Sequence, residues 1–211
     1  MSVRRQRRTF TEDELSRERL ADAAFELCRS DGVSGLTMRS LADRLDLPLP
    51  TIYRIVGDRD GLLDLVVDKI AAGLLAATPD DADLRTRCVI AYDWLLSVDG
   101  SASVLIEKLP LTPASLTYLG DTARLLGEHA PDPMTLAASW RVLWTYVVGC
   151  AAAAAARATP IAPTDGPPPE HATEILAALA AKAPRDLFLD GLDLLIAALG
   201  APGPSQPAGR G

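Results

Sequence analysis

The stretch GVSGLTMRSLADRLDLPLPTIYRIVGDRDG, residues 32–61 of a 211-residue chain, sets two short apolar-periodic segments on either side of a corner. Leu41, Ala42 and Leu45 keep helical spacing before Asp46, Leu47 and Pro48, and Ile52, Ile55 and Val56 keep it afterwards. A second helix opens on Pro50 and Thr51, because proline's fixed φ and missing N–H are tolerated in a first helical turn. Two helices packed across such a turn make the shape that inserts a helix into the major groove. The residues left over for solvent are Thr37, Arg39, Leu49, Pro50, Thr51, Tyr53, Arg54 and Arg59. Hydroxyls and guanidinium groups at the start and flank of a solvent-facing helix are what phosphate and guanine contacts require. The spacing alone is equally satisfied by a helical hairpin carrying ordinary solvated arginines.

The rest of the chain is punctuated as helices. Thr11 followed by Glu14 makes a capping box, with Phe10 and Leu15 as its hydrophobic staple, so a first helix runs from Thr11 to Gly32. Its face Leu20, Ala24, Leu27 and Cys28 covers the next two helices, which start near Thr37 and Pro50. Asp58 caps a fourth helix reaching about Thr78, whose early leucines close the first core and whose later part enters the next unit. Further helices are expected from Asp80 to about Val98, Ser101 to Leu109, Thr112 with Pro113 to near His129, and Asp132 with Pro133 to Arg157. A Pro-rich loop follows, Thr159 to Pro169, then helices over Glu170 to Ala183 and Arg185 to Gly200. With no strand-like alternation of useful length, the fold class is all-α. The domain division is a disordered basic arm 1–10, a helix-turn-helix domain 11–58, a second helical domain 59–200 and a disordered tail 201–211.

Composition narrows the function. The net charge of −7 argues at first against nucleic acid, but it is unevenly spread. Residues 1–60 hold 11 Arg and 11 Asp or Glu, and the whole acidic excess lies beyond them. The arm with Arg4, Arg5, Arg7 and Arg8 suits a phosphate track or a minor groove; a tail without specific role is the equal alternative. No apolar run reaches a membrane span without interruption and the first residues are no signal peptide, so a cytoplasmic protein without membrane partner is expected. Cys28, Cys88 and Cys150 lack metal-ligand spacing and are expected as buried reduced thiols, with no metal and no cofactor. With His129 and His171 its only histidines and no phosphate loop, the chain offers nothing for an enzyme.

From Thr11 to Ile70 the chain resembles the amino-terminal domain of the tetracycline-repressor (TetR) family, on the runs GLTMRSLADRL, LPTIY and GDRDGLLD. A weaker likeness, spread over Asp132 to Gly200, is to the carboxy-terminal regulatory domain of the repressors nearest the family's namesake. The resemblance implies a homodimeric DNA-binding transcription regulator, most often a repressor, with phosphate and base contacts on Thr37, Arg39, Leu49, Pro50, Thr51, Tyr53, Arg54 and Arg59. Departures from the pattern are Asp46 for the usual Gly of the turn, Val56 for Phe, Ile55 for His and Arg59 for Lys. Arg for Lys keeps a phosphate contact, while Leu49 and Ile55 offer little hydrogen bonding at two places of base readout.

The last helix, with Leu187, Phe188, Leu192, Leu194, Leu195, Ile196 and Leu199, is apolar on nearly every side and needs burial on both. A twofold mate supplies the second cover; a monomeric core helix is the alternative. The resemblance implies a four-helix dimer interface from this helix and that of Asp132 to Arg157, on Tyr146, Gly149, Ala153, Phe188, Leu192, Leu195 and Leu199. Dimerisation spaces two recognition helices about one DNA turn apart, as a palindromic operator requires. The middle helices carry enough aromatic and apolar surface for a cavity, and the family's inducer region falls on Trp94, Leu105, Leu109, Met134, Trp140 and Trp144. Each of these side chains is more readily plain core than a ligand contact, Leu105 most clearly and the tryptophans nearly evenly. Arg141, Glu107 and His129 are nearby polar candidates. A gap-free alignment places Leu75 where the namesake has its drug-binding His, so the expected small-molecule effector is apolar or amphipathic and not metal-chelated tetracycline. A DNA-binding regulator controlled by a protein partner, or an activator, is the standing alternative.

Overall fold

A computed structural model describes residues 17–108, 111–127, 130, 132–156 and 169–200. The basic arm, the Thr11 capping box with its staple, Leu109, His129, Arg157, nearly all of the Pro-rich loop and the carboxy-terminal tail lie outside the described residues. Among those described there are ten α-helices and no strand.

The first three helices form the expected corner. Helix α1, Arg17–Gly35, breaks at Gly32, whose φ of 72° is open to glycine without strain. Helix α2, Met38–Leu45, begins with a reciprocal cap: Thr37 Oγ1 accepts from Ser40 N at 3.0 Å and Ser40 Oγ accepts from Thr37 N at 2.9 Å. It ends on Asp46 at φ 51°, a left-handed position that Asp tolerates better than most non-glycine residues. Leu47 N then donates to Ala42 O at 2.9 Å, and the buried Leu47 side chain seals the turn. Helix α3, Leu49–Val56, follows directly, with Pro50 in its first turn.

Helix α4, Arg59–Ala77, starts on Asp58, whose carboxylate accepts from Gly61 N at 2.9 Å. Gly61 is required by proximity: a Cβ there would lie 2.1 Å from Val56 O, so α3 and α4 meet at van der Waals limits. Leu62, Leu63, Leu65, Val66, Val67, Ile70 and Leu74 are all buried, which leaves α4 little amphipathic contrast. Its first part packs on α1 and α3, and it goes on to meet the helices that follow.

Those are α5 (Leu84–Ser97), α6 (Ser101–Glu107), α7 (Pro113–Gly127), α8 (Pro133–Ala155), α9 (Glu170–Ala180) and α10 (Pro184–Ala198). Two boundaries correct the sequence expectation. Helix α5 begins four residues after Asp80, because Asp83 is the carboxylate that caps, accepting from Thr86 N at 2.7 Å. Helix α9 stops at Ala180, and Ala183, preceding Pro184, is extended, as steric conflict with a proline ring demands. Helix α8, at 23 residues with mean hydropathy 1.2 over its most apolar window, is long and apolar enough to cross a membrane on length and composition alone. Here it packs against α5, α6, α7 and α10.

The α10 helix is fastened within the protomer. Tyr92 and Phe188 stack at 4.0 Å with 6° between planes, and Tyr146 Oη donates to Phe188 O at 2.9 Å. Two bidentate ion pairs join α10 to α5. Arg85 Nε meets Asp193 Oδ1 at 2.6 Å, and Arg185 Nη2 meets Asp93 Oδ2 at 2.7 Å.

Two glycine substitutions separate packing from propensity. Gly61→Ala is expected to cost about 1–3 kcal/mol through the Val56 carbonyl clash. Gly120→Ala, on an exposed face of α7 where a Cβ meets nothing within 4 Å, is expected to add about 0.5–1 kcal/mol. Urea denaturation of both variants checks the opposite signs.

Candidate functional site

The corner presents one face to solvent. Ile52 is fully buried and anchors α3, with Ile55 and Val56 half-buried beside it. The opposite stripe, Leu49 and Tyr53 four residues apart, is exposed by 38% and 50%. Pro50 and Arg54 make the neighbouring exposed stripe; Thr37 and Arg39 at the start of α2, and Arg59 at the start of α4, flank it in sequence and are exposed too. Thr51 differs, being half-buried. The half-burial of Ile55 shows why that departure from the family pattern is tolerated, since an apolar side chain there is core material.

The aromatic residues converge farther along. Trp140 and Trp144, one turn apart on α8, have centroids 6.0 Å apart and 13° between planes, and Tyr118 of α7 tilts against Trp144 at 5.8 Å. These rings wall two narrow cavities of about 10 Å³ each. One lies among α5, α7 and α8, lined by Arg87, Cys88, Tyr118, Thr122, Trp140 and Trp144. The other, beside α4 and α6, is lined by Ile70, Leu74, Leu105, Ser115, Tyr118 and both tryptophans. A wider groove of about 350 Å³ on the outer side runs along Leu105, Ile106, Arg141, Thr145 and Gly149.

Of the expected effector-site residues, Leu105, Trp140 and Trp144 meet in these walls. Trp94 does not: its ring fills the α4–α5 seam, 2.2 Å from where a Gly73 Cβ would stand. Met134, in the first turn of α8, is 77% exposed and lines neither cavity. Leu109 lies outside the described residues. Arg141 reaches only the outer groove.

The residue that sequence reasoning missed is Arg87. It is 3% exposed, its guanidinium sits 5.0 Å over the Tyr118 ring, and its nearest carboxylate is Asp121 at 3.7 Å. The available signal was spacing: Leu84, Cys88, Ala91 and Leu95 form the inward face of α5, and position 87 falls on it. Burial pushes the neighbouring Cys88 thiol up to about 12 and raises the Tyr118 phenol as well, so both stay protonated and neutral at physiological pH.

Helix α6 connects this cleft to the DNA-facing unit. Gly100, at φ 79°, lies so near α1 that a Cβ would stand 2.9 Å from Cys28 O. At the other end Lys108 Nζ donates to Asp60 O at 3.1 Å and meets Asp64 Oδ1 at 3.1 Å, both on the opening turns of α4. Leu105 between them lines the inner cavity. Across α4, Asp68 Oδ1 accepts from Ala114 N at the head of α7 at 3.0 Å.

The expected dimer face is divided by the structure. Phe188 and Leu192 are 1% and 0% exposed, held in the protomer's own core by the Tyr92 stack, and they present no surface to a second copy. Tyr146 is half-buried, its hydroxyl bonded to α10 and fitted against Gly191. Gly149 and Ala153 are exposed, Leu195 and Leu199 half-exposed. Val142 at 49% and Leu194 at 73% belong to the same outward faces and were not singled out for this role in the sequence.

The described residues, ten helices with a helix-turn-helix near the amino terminus, can be compared with known proteins. No family model matches the chain. The class D tetracycline repressor of Escherichia coli is 43% identical over 58 residues, 28% of this chain and 27% of that protein. The transcriptional repressor DrrR1 of Streptomyces coeruleorubidus is 28% identical over 148 residues, 65% of this chain and 53% of the repressor. The chain thus spans about a quarter of the length of the tetracycline repressor and about half of DrrR1. The TetR-family protein ActR of Streptomyces coelicolor, in complex with actinorhodin, superposes with a TM-score of 0.71 at 22% identity, covering 87% of this chain and 96% of ActR. The fold is that of the TetR-family structures on which the chain superposes, and over the amino-terminal helices the sequence is similar to TetR-family repressors.

The Lys108 brace has a measurable consequence. Lys108→Ala removes a charged hydrogen bond to a backbone carbonyl together with its ion pair and is expected to cost about 1–3 kcal/mol in thermal melts.

Proposed function

We propose that the chain is a ligand-responsive homodimeric transcription regulator, a repressor that binds a palindromic operator and leaves it when a small apolar or amphipathic molecule fills the aromatic cleft. The observation that carries this reading is continuity: α4 rises from the Asp58 cap beside the exposed recognition stripe to Ile70 and Leu74 in the cavity wall. Arg39 and Tyr53 hold phosphates and Arg54 reads base edges, with Thr37, Leu49, Pro50, Thr51 and Arg59 completing the contact set. The protein works in the cytoplasm, where its DNA is, and it acts by binding and not by catalysis.

Release follows from linkage. An effector lowers DNA affinity only by its differential affinity for the conformation whose recognition helices are wrongly spaced. Widening the cleft pushes Leu105 and α6, and α6 holds the first turns of α4 through Lys108. The narrowness of the cavities favours one other reading, in which a protein partner on the outer face controls the same lever.

The exposed part of the proposed dimer face gives a test of assembly. A Cβ at Gly149 meets nothing within 4 Å in the protomer, so Gly149→Arg is expected to fold normally yet sediment as a monomer. Selection from a random duplex pool is expected to return a palindrome with half-sites about one turn apart. On that site Arg39→Ala and Tyr53→Ala weaken binding to all sequences, and Arg54→Ala relaxes preference at particular base pairs by about 1–3 kcal/mol. Pool DNA recovered without sequence preference, or three variants that bind as the parent does, would overturn the assignment.

A further inference from the structure

Two side chains that line the cavity among α5, α7 and α8 carry donors without acceptors. Arg87 Nε and Nη2, and Trp140 Nε1, are buried and make no hydrogen bond among the described residues. Buried polar groups in folded proteins are nearly always paired, and a buried guanidinium more strictly than most. Asp121 at 3.7 Å is beyond hydrogen-bond distance and its side chain is 48% exposed, so it compensates the Arg87 charge weakly. The space beside these atoms, about 10 Å³, is at the lower limit for one water, and one water accepts too few hydrogen bonds to serve all three donor atoms.

The walls around the donors are aromatic. Tyr118, Trp140 and Trp144 border this cavity and the one beside α4, so outward movement of the two half-buried indoles joins both spaces. The wall that carries them is lightly held: from Asp132 to Val142 no residue of α8 is buried. A flat ring system stacked on these faces brings an oxygen substituent to Arg87 and the Trp140 N–H. A planar fork of donors on a positive charge selects a carboxylate or phenolate oxygen over a neutral one.

We infer that the effector is an aromatic acid, its rings held between Tyr118, Trp140 and Trp144 and its anionic oxygens taken by the Arg87 guanidinium and the Trp140 indole N–H. This rests on the ligand-responsive reading above and narrows its ligand from an apolar or amphipathic molecule to a flat anion. Arg87 costs the empty protein an underpaired buried charge, and the ligand completes the pairing. The closed cleft therefore prefers an acid to a hydrocarbon of the same shape.

The test uses the full chain with 2-naphthoate, 2-naphthamide and 2-methylnaphthalene, followed by tryptophan fluorescence quenching and by operator release. The expected result is binding of 2-naphthoate at least tenfold tighter than 2-methylnaphthalene, with the amide between them. Arg87→Met is expected to abolish that preference while melting no lower than the parent. Asp121→Asn, at a half-exposed position, is expected to tighten naphthoate binding by removing the competing carboxylate. Equal binding of the three probes, or an unchanged naphthoate preference in Arg87→Met, overturns the inference. Operator release by the hydrocarbon as readily as by the acid also overturns it and leaves the regulatory reading intact. Naphthoate binding that depends on Arg87 without operator release supports the site and overturns the regulatory reading.

Discussion

Everything in this molecule hangs on α4 running through one continuous core shared by the helix-turn-helix and the helices beyond it. Its opening leucines close the helix-turn-helix against α1 and α3, and Ile70 and Leu74 line the aromatic cleft. A helix whose apolar residues are buried along its whole length moves only if a neighbour moves with it. The contact of Gly61 with the Val56 carbonyl passes any such motion to α3 without slack. The braces at Lys108 and Asp68 are placed where displacement of α6 or α7 is felt first by α4. The close α3–α4 contact and the light packing at the first turns of α8 put the stiff element at the helix-turn-helix and the soft one beside the aromatic cleft.

Much of this was legible in the chain because local chemistry marks helix ends. Thr37 and Ser40, Pro50, Asp58, and Asp132 with Pro133 all act as the caps and openings their residue types suggest. The exposed stripe of Leu49, Pro50, Tyr53 and Arg54 was readable for the same reason, since Ile52 between them fixes which way α3 faces. Where several carboxylates compete, as at Asp80, Asp81 and Asp83, composition does not say which one meets an orphan N–H. The cleft was the harder case. Trp94 and Met134 are as apolar as Trp140, and only three-dimensional packing sends one into the Gly73 seam, one to solvent and one to the cavity wall. Arg87 escaped notice because an arginine is ordinarily read as surface, although its spacing on α5 pointed inward.

The dimer face shows a related ambiguity. An all-round apolar helix was expected to meet a second copy through Phe188 and Leu192, and α10 spends those two on its own protomer. Leu194, with Val142, Gly149 and Ala153 of α8, stays exposed, and Leu195 and Leu199 are half-buried, so a second copy would meet a smaller surface than the sequence suggested. Hydrophobicity counts how much of a helix must be covered, not by which neighbour.

The two ion pairs that fasten α10 have an orientation built into them. Helix α5 carries Arg85 and, eight residues later, Asp93; helix α10 repeats the order with Arg185 and Asp193, and the pairs form crosswise. Run antiparallel, the helices match opposite charges at both ends of a span of about 12 Å. Run parallel, they would set guanidinium against guanidinium and carboxylate against carboxylate; slipped by a turn, they would lose both pairs. Exposed pairs of this kind add little to stability, about 0–1 kcal/mol each. What they provide is a polarity code, Arg then Asp eight residues on, written once on each helix, by which the final helix identifies the direction and register in which its apolar side chains find their places.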